Sequence, residues 1–125
     1  MSRSRILVVD DNEINLKVVK IALTAAGFEV DTADDAETAL TMVTTFSPRL
    51  VLMDLQLPGM GGLDLTRLLK ADPTTRSAII VAVTAYAMKG DQQRALEAGC
   101  DGYLTKPINT RTLATTVAGY LAEAG

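Results

Sequence analysis

Short apolar runs recur along the 125 residues at regular spacing, each followed by a stretch of helical composition, and this alternation restricts the fold more than any other feature. Arg5–Val9 (RILVV), Arg49–Asp54 (RLVLMD) and Ala78–Val83 (AIIVAV) are continuous enough to be strands covered on both faces. Phe28–Ala33 alternates weakly and Gly102–Thr105 is shorter, but both read as strands. Helices are predicted over Asn12–Ala26, closed by Gly27; over Asp35–Phe46, ended by Ser47-Pro48; and over Leu63–Ala71, stopped by Asp72-Pro73. Two more are predicted over Ala87–Ala98, capped by Gly99, and Asn109–Leu121, with Asn109 as N-cap. Leu55–Gly62 carries Pro58-Gly59 and Gly61-Gly62 and reads as a flexible loop. Five βα units imply an α/β fold, doubly wound, with helices on both faces of a parallel sheet. The length fits one domain over residues 1–125 with a core that needs no staples.

In such folds ligands bind outside the carboxyl ends of the strands. Strand one ends at Asp10-Asp11, strand three at Asp54, strand four at Thr84 and strand five at Lys106, before Pro107. Each has an ordinary explanation alone. Asp before a helix is often an N-cap, which accounts for one acid but not two. Asp54 is a fair turn former, Thr84 a satisfied hydroxyl, and Lys106 a surface lysine whose bond to Pro107 is open to either isomer. Jointly these readings require five coincidences at one edge. Two carboxylates about 4 Å apart repel by roughly 4 kcal/mol at an effective dielectric near 20, so something must offset the pair. Three carboxylates with neither histidine nor thiol nearby suit Mg²⁺. Lys106 and Thr84 would then face a phosphoryl group across the gap, and a carboxylate nucleophile can form an aspartyl phosphate.

Composition narrows the chemistry. The absence of histidine excludes histidine catalysis, histidine ligation and a phosphohistidine of the chain's own. The single cysteine, Cys100, excludes an intrachain disulfide, fits a reducing compartment, and is expected to pack in the core. A net charge of −3 without a basic run argues against nucleic-acid binding. No run approaches the roughly 20 apolar residues of a membrane span, so a cytoplasmic protein is expected.

VVDDN, LMDLQLPGMGGL, VAVTAYA and YLTKP together resemble the receiver domain of two-component response regulators, and the resemblance covers nearly the whole chain. AVTAYAMKGD, EAGCDGY and TKPI are especially similar to stand-alone receivers of the DivK type, which act in bacterial cell-cycle control. The resemblance implies a CheY-like, flavodoxin-like (βα)5 three-layer sandwich with strand order 2-1-3-4-5. It implies that Asp54 is the phosphoacceptor, and that Asp10, Asp11, Asp54 and the backbone carbonyl of Gln56 hold Mg²⁺. Thr84 then bonds the phosphoryl group after transfer, Lys106 pairs with a phosphoryl oxygen, and Tyr103 is the switch aromatic. Gln56 and Tyr86 flank the phosphoryl group and tune hydrolysis. The donor is a histidine kinase or histidine phosphotransferase, and output to a protein target runs through the face of helix four, strand five and helix five.

The first helix carries two apolar stripes, Leu16-Val19-Leu23-Ala26 and Ile14-Val18-Ile21-Ala25. Either the helix buries a wide face, or Ile14, Asn15 and Val18, beside the site, dock a histidine-bearing helix bundle. The chain ends just after its last helix, so output is expected by protein contact, or the chain is a receiver excised from a hybrid kinase. A haloacid-dehalogenase-type phosphohydrolase is a rival, but Asp10-Asp11-Asn12-Glu13 does not match its DxDx(T/V) pattern. A flavodoxin-like cofactor protein would want a Ser/Thr/Gly-rich phosphate loop at that place.

Overall fold

A computed structural model describes residues 3–57, 61–84 and 91–124. Its elements are β1 (Arg5–Val9), α1 (Glu13–Ala25), β2 (Glu29–Ala33), α2 (Ala36–Phe46), β3 (Leu50–Asp54), α3 (Gly62–Ala71), β4 (Ile79–Thr84), α4 (Asp91–Ala98), β5 (Gly102–Thr105) and α5 (Leu113–Ala124). The strands form one parallel sheet in the order β2-β1-β3-β4-β5. The doubly wound arrangement expected from the alternation is therefore present.

Alternation within each strand divides the core into two layers. Leu7, Val9, Val51 and Met53 face α2, α3 and α4. Ile6, Val8, Leu50 and Leu52 face α1 and α5. Strands buried on both sides leave no polar register for a slip to expose, which is why β1, β3 and β4 read as unbroken apolar runs. The order reverses between β1 and β3, so the crevice of this sheet opens between Val9 and Asp54.

The α1 terminus fits the expected stop. Gly27 has φ +99°, its N–H donates to Thr24 O at 3.0 Å, and Phe28 N–H donates to Leu23 O at 3.1 Å. This double bond to the last turn needs a left-handed residue. Two local expectations are corrected, and one open alternative is decided. The last helix does not begin at Asn109: Asn109 O accepts from the Thr112 and Leu113 amides, and its side chain accepts from Arg111 N–H, so a separate turn precedes α5. Gly62 is not part of a flexible loop but the buried first residue of α3. Of the two readings left open for α1, the wide buried face is not the one found: Leu16, Val19 and Leu23 are buried, whereas Ile14, Val18 and Ile21 are 73%, 45% and 63% exposed, and Ala26 leaves the buried stripe. Pro58, Gly59, Tyr86 and the expected start of the fourth helix at Ala87 lie outside the described residues.

Candidate functional site

Asp10 follows β1 and is only 5% exposed. Its two oxygens are held separately. Oδ1 accepts from Asn12 N–H at 2.9 Å, and Oδ2 accepts from the side-chain Nδ2 of Asn15 at 3.4 Å and lies 3.1 Å from Lys106 Nζ. Asp10 is not the helix cap. That role falls to Asn12, whose Oδ1 accepts from the Ile14 and Asn15 amides at 2.9 and 3.1 Å. Asn12 thus ends the strand and starts the helix while its own N–H fixes Asp10. The sequence signal for this was an Asn directly before helical periodicity.

Asp54 closes β3 and is 2% exposed. Gln56 N–H donates to its Oδ1 at 2.9 Å, and Lys106 Nζ donates to its Oδ2 at 3.1 Å. The bend after the strand is packed against the start of α3. A Cβ on Gly62 would stand 2.5 Å from Asp54 O and 2.9 Å from Leu55 Cα, so only glycine permits this approach. Asp11 is exposed, yet one of its carboxylate oxygens and one each from Asp10 and Asp54 all lie within 4.8 Å of one another.

The burden of repulsion is therefore not the adjacent pair Asp10-Asp11, which water screens, but the buried pair Asp10 and Asp54. Lys106 offsets it by reaching both. Burial pushes the Asp54 carboxyl up, the charge of Asp10 adds to the rise, and bonds from Gln56 and Lys106 only partly oppose it. Burial also disfavours the Asp10 carboxylate, but the Asn12 amide and Lys106 outweigh it and leave Asp10 below the ordinary aspartate range. Burial works against the Lys106 charge, and the hydrogen bonds to Asp54 and Asp10 more than reverse this. Burial and the charge of the neighbouring carboxylate thus work against ionisation at this pair, and the Lys106 ammonium works for it.

Lys106 is set by the backbone. Its N–H donates to Thr84 O at 2.7 Å, extending the ladder in which Thr84 pairs with Thr105, and its bond to Pro107 is cis. Thr84 is buried at the end of β4. Tyr103 pairs with Ala82 and is half-buried against the cluster under α3 and α4. Gln56 is exposed beside Asp54. A groove of about 400 Å³ begins at Lys106 and Pro107 and runs to Asn15 and Val18 on α1. Three carboxylates offering clustered oxygens and no softer donor fit a hard divalent cation. Asp10, Asp11, Asp54, Thr84 and Lys106 are gathered at one edge as expected; Tyr103 sits deeper along β5, and Ile14 and Val18 lie on the neighbouring surface of α1. Tyr86 lies outside the described residues.

An open parallel sheet with acids at its switch point and a lysine after the last strand defines a class. Residues 6–118 match the response regulator receiver domain, and the chain belongs to that family. It is 39% identical over 119 residues to the polar-differentiation response regulator DivK of Brucella anthropi, covering 95% of this chain and 97% of that one. A CheY-like receiver domain protein from Methanospirillum hungatei JF-1 superposes with a TM-score of 0.89 at 34% identity, covering 98% and 97% of the two chains. Chemotaxis protein CheY4 of Vibrio cholerae gives 0.89 at 26% identity, covering 94% and 98%. Members of the family are signalling regulators that bind Mg²⁺ at an acidic pocket, are phosphorylated, and interact with histidine kinases and downstream targets. Among the described residues no helix is long and apolar enough to cross a membrane.

Proposed function

We propose that the chain acts as a single receiver domain, residues 1–125, which takes a phosphoryl group from a partner's phosphohistidine onto Asp54. The reading is carried by one observation: a single ammonium, Lys106, lies 3.1 Å from each of two buried carboxylates, Asp10 and Asp54, at the switch point of the sheet. A carboxylate oxygen of Asp54 attacks phosphorus as the bond from phosphorus to the donor imidazole breaks. The electron pair of that bond stays with the imidazole, and the product is an acyl phosphate. Mg²⁺, held by Asp10, Asp11, Asp54 and the Gln56 carbonyl, would supply neutralisation of the phosphoryl oxygens when bound.

Lys106 moves its donor bonds from the carboxylates to a phosphoryl oxygen without leaving its ladder bond to Thr84. The Thr84 hydroxyl turns to the new dianion, and Tyr103 follows into the space released beneath α4. The face of α4, β5 and α5 then changes its preference for a protein target, a population shift biased by local charge. Gln56 and Tyr86 tune how readily water reaches the acyl phosphate. Ile14, Asn15 and Val18 receive the donor's helix, because they continue the groove that starts at Lys106. The similarity to the response regulator DivK supports a signalling switch of this kind; a cytoplasmic location and output by protein contact belong to the same proposal.

Incubation with acetyl phosphate and Mg²⁺ should add one phosphate, detected by intact mass, and Asp54→Asn should abolish it. Labelling that survived in the variant would move the acceptor elsewhere.

A further inference from the structure

The opposite edge of the sheet is built with the opposite charge. A cavity of about 630 Å³ at the amino-terminal ends of β1, β2 and β3 is lined by Arg3, Ser4, Arg5, Glu29, Ser47 and Arg49. Three guanidiniums against one carboxylate leave two positive charges facing a single concavity. Its backbone rim is stitched: Glu29 N–H donates to Ser4 O at 3.0 Å, and Arg49 N–H donates to Arg5 O at 2.9 Å. The rim is completed by Ser47, whose φ of 53° is left-handed and turns the chain from α2 into β3.

The three arginines are not equivalent. Arg5 is fixed, with Nε on Glu29 Oε2 at 3.1 Å, Nη1 on Phe46 O at 3.0 Å, and its guanidinium 5.7 Å from the centre of the Phe46 ring. Arg49 has a fixed main chain, since Ile79 N–H donates to its carbonyl at 2.8 Å, but its exposed side chain makes no hydrogen bond or ion pair among the described residues. The same holds for the side chain of Arg3. Two guanidiniums with unspent donors, beside a third already paired with Glu29 and two serine hydroxyls, can take the oxygens of an oxyanion bidentately, as they would those of a phosphate. The charge surplus equals that of a phosphate monoester dianion. The volume lies within the range of small-molecule sites. Ser47 and Arg49 also line an adjoining cavity of about 330 Å³, so the site extends beyond one phosphate.

We propose that this cavity is an anion site for a small phosphate-bearing ligand, with Arg49 and Arg3 as the binding cations and Arg5 as a fixed wall. It stands at the far end of the strands from Asp54 and is independent of the acceptor chemistry. The test is titration of isotope-labelled protein with pyrophosphate and with ADP, in EDTA so that no metal links phosphate to the acidic edge. Saturable amide shifts around Arg5, Glu29, Ser47 and Arg49 are expected, weakened roughly tenfold by Arg49→Gln and unchanged by Arg67→Gln on the outer face of α3. Tighter binding of ADP than of pyrophosphate would place the extension of the ligand in the adjoining cavity. Equal weakening by both variants, absence of saturation, or shifts confined to the Asp54 edge would overturn the proposal. So would tighter binding of an oligoglutamate peptide, which would make the cavity a docking face for acidic protein.

Discussion

Lys106 Nζ lies 3.1 Å from Asp54 Oδ2 although 52 positions separate the two residues. The same nitrogen is 3.1 Å from Asp10 Oδ2. Its loss removes the one cation that, among the described residues, is set against these two buried carboxylates. Breaking a buried pair from one side costs about 3–5 kcal/mol; because the Lys106 side chain retains 19% exposure, Lys106→Met is expected to cost about 2 kcal/mol in EDTA. Urea unfolding with and without Mg²⁺ measures it, and the variant should bind Mg²⁺ more tightly because a competing cation is gone. Unchanged stability in EDTA would mean that water already neutralises the pair.

Gly62→Ala places a methyl against the carbonyl of Asp54 and the Cα of Leu55. Neither is a flexible side-chain tip, so backbone must move. The expected loss is about 1–3 kcal/mol. Acetyl-phosphate labelling should slow as well, since the bend that holds Asp54 shifts with it. Slower labelling at full stability would show the methyl to be accommodated by the loop rather than the strand.

Asp35 caps α2 by accepting from Thr38 N–H at 2.7 Å, and this bond holds its carboxyl below the ordinary range. A folded pKa depressed relative to the unfolded chain gives stability that is present above the unfolded value and lost as pH falls through the folded value. Asp35→Ala should lower Tm at pH 7 and lose less than the parent between neutral and acid pH. Asp35→Asn should keep the cap and flatten the same acid limb. Identical acid limbs in all three proteins would remove Asp35 from the titration.

Val18→Glu puts a charge on the exposed apolar ridge of α1 beside the groove at Lys106. Transfer from a phosphohistidine protein should slow by tenfold or more, on the order of one interfacial hot spot. Labelling by acetyl phosphate should be unaffected, because the carboxylates are held by Asn12, Asn15, Gln56 and Lys106 and not by Val18. Equal transfer rates would detach this ridge from donor docking.

The fold was legible because its strands are buried on both faces and read as apolar runs, and because parallel topology sends every strand end to one edge. That alone gathered Asp10, Asp54, Thr84 and Lys106 from four distant segments. What the chain did not disclose was which polar groups divide the work within a few ångströms. Asp10, Asp11 and Asn12 look alike as helix starters, and only the bonds they make show that Asn12 Oδ1 caps α1 while Asp10 is held by the Asn12 N–H. Gly62 resembles a loop glycine until the carbonyl of Asp54 is seen above it. Asn109 carries a good cap signal, but Pro107 and the turn at 110–112 delay the helix to Leu113. The two stripes of α1 have the same spacing, and no periodicity argument tells which one the sheet will cover.

Parallel strands also give the molecule a direction. Among the described residues three carboxylates cluster at one rim and three guanidiniums line a cavity at the other, so charge is divided along the strands in a way the net charge of −3 does not reveal. A cationic partner surface would meet the acidic rim already turned toward it, before any side chain touches. Such orientation acts on the frequency of productive encounters rather than on the lifetime of the complex, and salt near physiological strength screens it beyond roughly 8–10 Å from the surface.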